Sequence, residues 1–201
     1  MARSVFRFLS RQSDPIELAD GAVSLKLPRH ADYRQWHDLR MESRRFLEPW
    51  EPVWRSDELT EAAFRRRVQR NAEEFSAGQA VPLFLFRRSD QALLGGITIG
   101  YIRRGAAQSC MIGYWMGEKY AGQGHMFAAL RLVIPYIFSG LQLHRIEAAC
   151  IPDNERSIRL LEKAGFRREG YLRDYLKING AWRDHVLYAR LPNDRYSDGT
   201  S

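Results

Sequence analysis

Three apolar, strand-like runs lie close together in the middle of the chain, and they limit its fold more than any other feature of the sequence. The runs Val81–Arg88, Leu93–Arg103 and Ser109–Met116 are separated only by the turn segments Ser89–Gln91 and Gly105–Gln108. Glycine, serine and aspartate in such short segments are typical of turns that reverse the chain. The pattern therefore predicts three neighbouring antiparallel strands at the centre of a sheet.

Helical patterns lie on both sides of this region. Apolar residues at helical spacing predict helices at 31–45, 57–76, 122–138 and 154–163. Asp57 is the expected N-cap of the second helix, and Pro135 is expected to kink the third because proline lacks a backbone donor. Pro49 and Pro52 exclude a regular helix between the first two and predict an aromatic loop there.

Further strands are predicted towards the two ends of the chain, at Val23–Leu27, Arg145–Ile151, Phe166–Ile178 and Trp182–Leu191. The dipeptide Asn179-Gly180 is a strong hairpin signal between the last two. This order of elements predicts a mixed α/β fold, with one twisted, mostly antiparallel sheet of about seven strands flanked by about four helices. We expect one domain at 21–191, an N-terminal extension at 1–20 and a flexible tail at 192–201.

Charge and cysteine content narrow the classes of function. The net charge of +7 favours acidic partners such as RNA, a ribosome or a polyanionic cofactor, although a plain basic surface explains it equally well. Cys110 and Cys150 give no disulfide framework and are interpreted as buried apolar residues. No apolar run approaches a membrane span, so we expect no membrane partner. A cytoplasmic location is the default expectation, and we expect a monomer or weak dimer. No spacing of cysteine, histidine and aspartate indicates a metal site.

The segment Lys119-Tyr-Ala-Gly-Gln-Gly124 stands between a predicted strand and a predicted apolar helix. Gly122 and Gly124 let the backbone approach a ligand, and the unpaired amides at a helix start carry a partial positive charge. A pyrophosphate fits there, with Lys119 as an added cation. A glycine-containing turn with no ligand is an equally open interpretation of this segment alone. A dinucleotide fold and a P-loop are disfavoured because neither G-x-G-x-x-G nor Gly-Lys-Ser/Thr occurs.

Asn154 and Ser157 lie three residues apart at the start of the last predicted helix, on one helical face. Asn154 is a natural N-cap, and a serine in a first turn is often only a solvated polar residue. With the glycine segment, this pair resembles the GCN5-related N-acetyltransferase (GNAT) superfamily, whose phosphate loop reads Arg/Gln-x-x-Gly-x-Gly/Ala. The chain departs from that pattern at Lys119, and Leu160 and Leu161 stand where a helix tyrosine is often found.

The resemblance implies a sheet with a splayed central strand pair and an enzyme that needs acetyl-CoA and no metal. An amine would attack the acetyl thioester directly, within a ternary complex. Further segments resemble the ribosomal-protein-alanine N-acetyltransferase (RimJ) branch, namely Pro49–Pro52, Ile112–Trp115, Tyr120–Gly124, His144–Ile146, Gly170–Leu176 and Gly180–His185. This branch implies a protein N-terminal α-amine as acceptor, ribosomal in origin. A small amine such as an aminoglycoside or an amino acid, or a ribosome-associated factor with little activity, remain alternatives.

Cofactor contacts are expected from Tyr114, Trp115 and Met116, whose amides would hold the thioester oxygen. The other expected cofactor contacts are Lys119, Tyr120, Ala121, Gly122, Gln123, Gly124, His125 and Asn154. His125 either touches phosphate when protonated or is simply exposed.

Ser157, oriented by Asn154, is the candidate proton donor to the leaving thiolate. Glu51 is the candidate base, with Glu48 as its substitute and an exposed loop carboxylate as the alternative interpretation. Trp50, Tyr171 and Tyr175 are expected to line the substrate channel, and strand alternation places the two tyrosines on one face with Asp174 on the other. Trp50 and Trp54 either form an aromatic wall for the substrate or cap the core. Asp184 and His185 suggest an acid–base pair, but adjacent strand residues face opposite sides, which favours a structural role.

Overall fold

An eight-stranded sheet runs through the molecule, and a computed structural model describes the chain from residue 16 to residue 197. The strands are β1 (Glu17–Ala19), β2 (Val23–Lys26), β3 (Val81–Arg87), β4 (Leu93–Arg103), β5 (Ser109–Met116), β6 (Arg145–Cys150), β7 (Arg167–Ile178) and β8 (Ala181–Arg190). Their spatial order is β1-β2-β3-β4-β5-β6-β8-β7, and β5–β6 is the parallel pair. The mixed α/β prediction is confirmed, with one more strand than expected because β1 pairs with β2.

Helices cover both faces of this sheet. They are α1 (Tyr33–Glu42), α2 (Arg44–Leu47), α3 (Glu61–Ser76), α4 (His125–Pro135) and α5 (Glu155–Lys163). Alternation along β3 sends Leu83 and Leu85 into the core beneath α4 and α5, while Phe84 packs with Trp36 and Phe64 from α1 and α3. The sheet is therefore a middle layer with a separate apolar core on each side.

Strands β5 and β6 separate soon after they meet. Their register holds only at Ser109–Arg145, Cys110–Ile146 and Met111–Glu147. Beyond Met111, β5 continues to Met116 alongside β4, while β6 pairs with β8 instead. The predicted splayed central pair is confirmed, and it leaves a wedge-shaped opening through the middle of the sheet.

Two predicted helix starts lie too early. Helix α3 begins at Glu61 because Thr60 is its N-cap, with Thr60 Oγ1 accepting from Ala63 N–H at 3.2 Å. Asp57 lies in the preceding turn, where its carboxylate pairs with Arg55 and with Arg66 of α3. Helix α4 begins at His125 rather than at 122, because Gly122 and Gly124 adopt φ values of +76° and +83°, outside the helical region.

The end of α4 also differs from the expected single kinked helix. Helix α4 stops at Pro135, and a wider π-helical turn occupies Tyr136–Gly140. Proline has no N–H to continue the regular ladder, and Leu141 N–H reaches back to Tyr136 O at 2.9 Å. Among the described residues, no helix is both long and apolar enough to cross a bilayer.

The folded region is wider than the predicted domain at both ends. Strand β1 lies inside the stretch assigned to an extension, because Glu17–Ala19 pairs with β2. Tyr196 lies inside the stretch assigned to a flexible tail, yet its ring packs edge-on against Phe127 at 6.0 Å and 4.3 Å from the Arg190 guanidinium. Predictions for residues 1–15 and 198–201 concern parts of the chain outside the described residues.

Candidate active site

A cleft of about 1200 Å³ occupies the opening between β5 and β6. It is bounded by α2 and the turn after it, the start of α4, the start of α5 and the β7–β8 hairpin. Of the predicted site residues, its lining includes Trp50, Glu51, Tyr114, Trp115, Met116, Ala121, Gly122, Gly124, His125, Asn154 and Ser157. The fold thus brings segments from four distant parts of the sequence to one place.

The turn before α4 has the geometry of an anion site. A Cβ placed on Gly122 or Gly124 would meet no atom within 4 Å, so both glycines border open space. The first ladder bond of α4 runs from Ala128 N–H to Gly124 O at 3.0 Å, which leaves the amides of the preceding residues without helical acceptors. Free amides at a helix start suit a phosphate group, so this turn fits the diphosphate of coenzyme A.

The side chains beside these glycines do not face the cleft. Lys119 Nζ bonds Glu42 at 2.7 Å, and Gln123 Nε2 donates to the Lys119 carbonyl at 2.7 Å. Tyr120 packs between the two apolar cores. Lys119, Tyr120 and Gln123 are not part of the cleft lining, and their side chains stabilise the turn. Their contact with a cofactor, through the backbone or through the Lys119 cation, stays a prediction.

Two hydroxyl groups meet inside the cleft. Ser157 Oγ lies 2.7 Å from Tyr114 Oη, and Asn154 Oδ1 accepts from Ser157 N–H at 3.1 Å as the N-cap of α5. Burial raises the pKa of Tyr114 above its usual range, so this hydroxyl keeps its proton. Sequence reasoning placed Tyr114 here for its backbone and missed its side chain, since the contact joins residues 43 positions apart.

Glu51 is engaged on both carboxylate oxygens. Arg40 donates to Oε1 at 2.7 Å and to Oε2 at 2.6 Å, and Trp54 Nε1 donates to Oε2 at 2.8 Å. Arg40 is buried, and its guanidinium stacks over Trp54. Glu51 lines the cleft with both carboxylate oxygens occupied, and its role as the base stays a prediction. Glu48 is bound to Arg44 at 2.6 Å outside the cleft lining. Trp54 helps to hold this ion pair and also lines a smaller cavity beside the cleft.

The two predicted channel tyrosines lie on opposite faces of the sheet. Tyr171 Oη donates to Asp184 Oδ2 at 2.7 Å, whereas the Tyr175 ring packs edge-on against His185 at 5.5 Å. Adjacent Asp184 and His185 point to opposite sides of the strand, as expected. They therefore do not contact each other as an acid–base pair. Regular alternation along β7 would place Tyr171 and Tyr175 on one face. A bulge shifts the register between Leu172 and Leu176 and places them on opposite faces.

The rim of the cleft beside α2 carries an accessible aromatic side chain. Trp50 is 37% exposed and lines the cleft, while neither Tyr171 nor Tyr175 is part of its lining. Within residues 16–197, no group of three or more histidine, cysteine, aspartate or glutamate side chains could hold a metal ion.

Comparisons with known proteins agree with this geometry. The sequence profile described as "Acetyltransferase (GNAT) domain" matches residues 23–167. The ribosomal protein uS5-alanine N-acetyltransferase of Escherichia coli is 36% identical over 179 residues, which cover 89% of this chain and 92% of that protein.

Two solved structures are also similar to this chain in fold and in sequence. The ribosomal-protein-S5-alanine acetyltransferase from Vibrio fischeri has a TM-score of 0.82 at 29% identity, covering 89% of this chain and 98% of that one. Mycobacterium smegmatis RimJ in complex with CoA-disulfide has a TM-score of 0.81 at 34% identity, covering 89% and 86%.

The chain belongs to the GNAT family and is an acetyl-CoA-dependent N-acetyltransferase. Within that family it falls in the branch of the ribosomal-protein-alanine N-acetyltransferases.

Proposed function

We propose that this enzyme acetylates the N-terminal α-amine of a ribosomal protein, by direct attack of the amine while acetyl-CoA is bound. The observation that carries the proposal is a cleft at the opening of the sheet, with the Trp50 side chain exposed at its rim. Tyr114 and Trp115, neighbours on β5, both line it although they face opposite sides of the sheet. The two substrates can therefore approach from opposite faces.

The α4–α5 side suits the co-substrate. The free amides at the start of α4 would hold the diphosphate, and the Ser157–Tyr114 hydroxyl pair lies further along the same cleft. Acetyl-CoA, when bound, supplies the acetyl group as a thioester. Ser157, held by the cap of α5, would pass its proton to the departing sulfur, and Tyr114 would restore that proton.

The opposite side suits an extended peptide better than a small polycation. Two large apolar side chains of the cleft lining are exposed there, namely Trp50 and Leu176. The carboxylates of the cleft lining are each paired with an arginine: Glu51 with Arg40, Asp153 with Arg183 and Glu155 with Arg159. An aminoglycoside carries several cations and calls for an acidic pocket, whereas a protein N-terminus brings one amine followed by chain.

A second cavity gives that following chain room. About 450 Å³ in volume, it adjoins the main cleft across Glu51, Pro52 and Trp115. Arg40 lines it, and Arg40 Nε has no hydrogen-bond partner among the described residues. A buried, unpaired donor suits a peptide carbonyl, which supports an acceptor longer than a single amino acid.

The ribosomal origin of the acceptor is supported by the relatives, which are named for acetylating ribosomal-protein alanine, and by the net charge of +7. Because ribosomes assemble in the cytoplasm, we place the enzyme there. An α-amine also suits this site, since its pKa near 7.7–8.0 leaves a useful neutral fraction at pH 7.

Mass spectrometry tests the proposal. Peptides with a free N-terminal alanine, N-terminally blocked peptides that contain lysine, free alanine and an aminoglycoside would each be incubated with acetyl-CoA. We expect the acetyl group on the free peptide N-terminus alone. Acetylation confined to free alanine or the aminoglycoside would overturn the protein acceptor, and acetylation of lysine in the blocked peptide would overturn α-amine selectivity.

A further inference from the structure

His185 is a buried imidazole in the cleft that the chemistry described so far does not use. It is 3% exposed and belongs to the cleft lining. On β8 it lies next to Val186, whose register partner Cys150 is the last residue of β6. The ring therefore stands beside the point at which the sheet opens.

The face on which His185 lies is the acceptor face. Val186 packs in the core with α4 and α5, so the alternation of β8 turns His185 to the other side. There the Tyr175 ring packs against it, and Tyr175 Oη reaches Met111 Sδ at 3.9 Å. Ser157 and Tyr114 lie towards the α5 side, so the imidazole and the hydroxyl pair flank the opening from opposite directions.

One ring nitrogen of His185 is committed and the other is free. Nδ1 lies 3.0 Å from the Arg183 carbonyl, which only accepts, so Nδ1 carries a proton and donates. Nε2 has no hydrogen-bond partner among the described residues and is not fully enclosed. In the neutral ring, Nε2 is therefore a lone-pair acceptor with a fixed orientation.

The carboxylates that line the cleft are each held by an arginine. Glu51 is bound to Arg40, Asp153 pairs with Arg183 at 3.4 Å, and Glu155 pairs with Arg159 at 2.9 Å. Lys177 at the hairpin is a cation and His125 stands at the anion turn. Burial raises the pKa of both the Cys150 thiol and the Tyr114 hydroxyl, so neither serves as a base near neutral pH.

We propose that His185 Nε2 is the group that takes the proton from the attacking amine. This inference rests on direct attack, as in the proposed function. The neutral amine nitrogen forms its bond to the acetyl carbon as the carbon–sulfur bond breaks. His185 receives one proton from that nitrogen, and Ser157 delivers one to the sulfur. His185 then loses its proton to solvent while the Ser157–Tyr114 pair regains one, so the protein returns to its starting state.

Two variants separate this role from a structural one. His185→Asn keeps an amide donor near Nδ1 for the Arg183 carbonyl and removes Nε2. His185→Gln keeps a polar atom near Nε2 and removes the Nδ1 donor. We expect both to lower kcat at pH 7 by about 100-fold or more, with coenzyme A affinity and acceptor KM unchanged. The deficit should shrink as pH rises, because solvent then takes up the proton more readily.

Several results would contradict the role of His185 as the base. Wild-type kcat in His185→Asn, with loss only in His185→Gln, would show that the ring matters for its bond to Arg183 alone. A loss that follows coenzyme A binding would also overturn it. Should neither variant fold, the wild-type enzyme still decides: kcat must fall on the acid side, and a flat profile sinks the proposal. The assay uses whichever amine the wild type acetylates, so a different acceptor would refute the proposed function and leave this test intact.

Discussion

Ser157 Oγ on α5 and Tyr114 Oη on β5 lie 2.7 Å apart across the opening of the sheet. One hydroxyl reaches the cleft from the helix start that Asn154 caps. The other comes from the end of β5, which stays paired with β4 after it has separated from β6. Because a hydroxyl both donates and accepts, the pair can move a proton in one direction and recover it from the other.

The hydroxyl pair should act as one unit. We expect Ser157→Ala to lower kcat by about 10- to 100-fold and Tyr114→Phe by a smaller factor, with little change in coenzyme A affinity. The double variant should be no slower than Ser157→Ala, because the two groups act in series. Tyr188→Phe is the matched control, since it removes a buried tyrosine hydroxyl that bonds Glu162 instead. Steady-state kinetics measure all four, and multiplicative losses in the double variant would contradict the relay.

Gly122 should be required for binding rather than for folding. Valine at φ +76° costs about 1–2 kcal/mol of backbone strain, and its side chain would enter the open space expected to hold phosphate. Gly122→Val should therefore weaken coenzyme A binding by about 100-fold or more in calorimetry, the loss of at least two charge-assisted bonds. Gly78→Val is the control, with φ +66° and equally open surroundings in the turn after α3. Equal affinity for coenzyme A in both variants would contradict an anion site at this turn.

Glu51 should matter for stability more than for proton transfer. Removing it leaves Arg40, which is 5% exposed, without its partner, at a cost of about 3–5 kcal/mol. Glu51→Ala should therefore lower the urea midpoint strongly, and the milder Glu51→Gln should keep the shape of the kcat–pH profile. Glu48→Gln, at an exposed pair with Arg44, should cost about 1 kcal/mol or less. Selective loss of the acid limb in a stable Glu51→Gln would restore Glu51 as the base.

Alkaline stability should report on Tyr188. Burial, and then the carboxylate of Glu162, raises the pKa of Tyr188 to about 12. An unfolded tyrosine titrates near 10, so the folded state holds this proton more tightly. The stabilisation is complete below pH 10 and is lost as the pH rises through 12. Tyr188→Phe should therefore flatten the fall of urea midpoint with pH in that window. Tyr101→Phe, at a 79% exposed position, is the control, and parallel curves for both would refute the assignment.

Local pattern was enough to locate much of the fold. Strands at Leu93–Arg103 and Ser109–Met116 have the predicted limits, since apolar runs bounded by turn residues define both ends. Asn154 is the predicted cap. Gly122 and Gly124 border the predicted open turn because only glycine takes those φ values without strain.

The rest of the site depends on contacts that no local pattern encodes. Arg40 reaches Glu51 only because α1 and the turn after α2 pack together. The bulge on β7 includes Asp174, whose backbone has a φ of +45°. No pattern in the surrounding sequence predicts this conformation. That bulge separated Tyr171 from Tyr175 and brought the latter beneath His185. Spacing therefore identified the cofactor side of the cleft better than the acceptor side.

The short contact between β5 and β6 has a consequence for survival of the protein in the cell. Three residue pairs hold these strands together, so the sheet halves on either side share few main-chain bonds. Acetyl-CoA wedged between them would tie the halves to each other, and a hundredfold excess over its Kd would add about 2.7 kcal/mol to the free energy of unfolding. The protein would then resist proteases better when the cellular concentration of acetyl-CoA is high than when it is low.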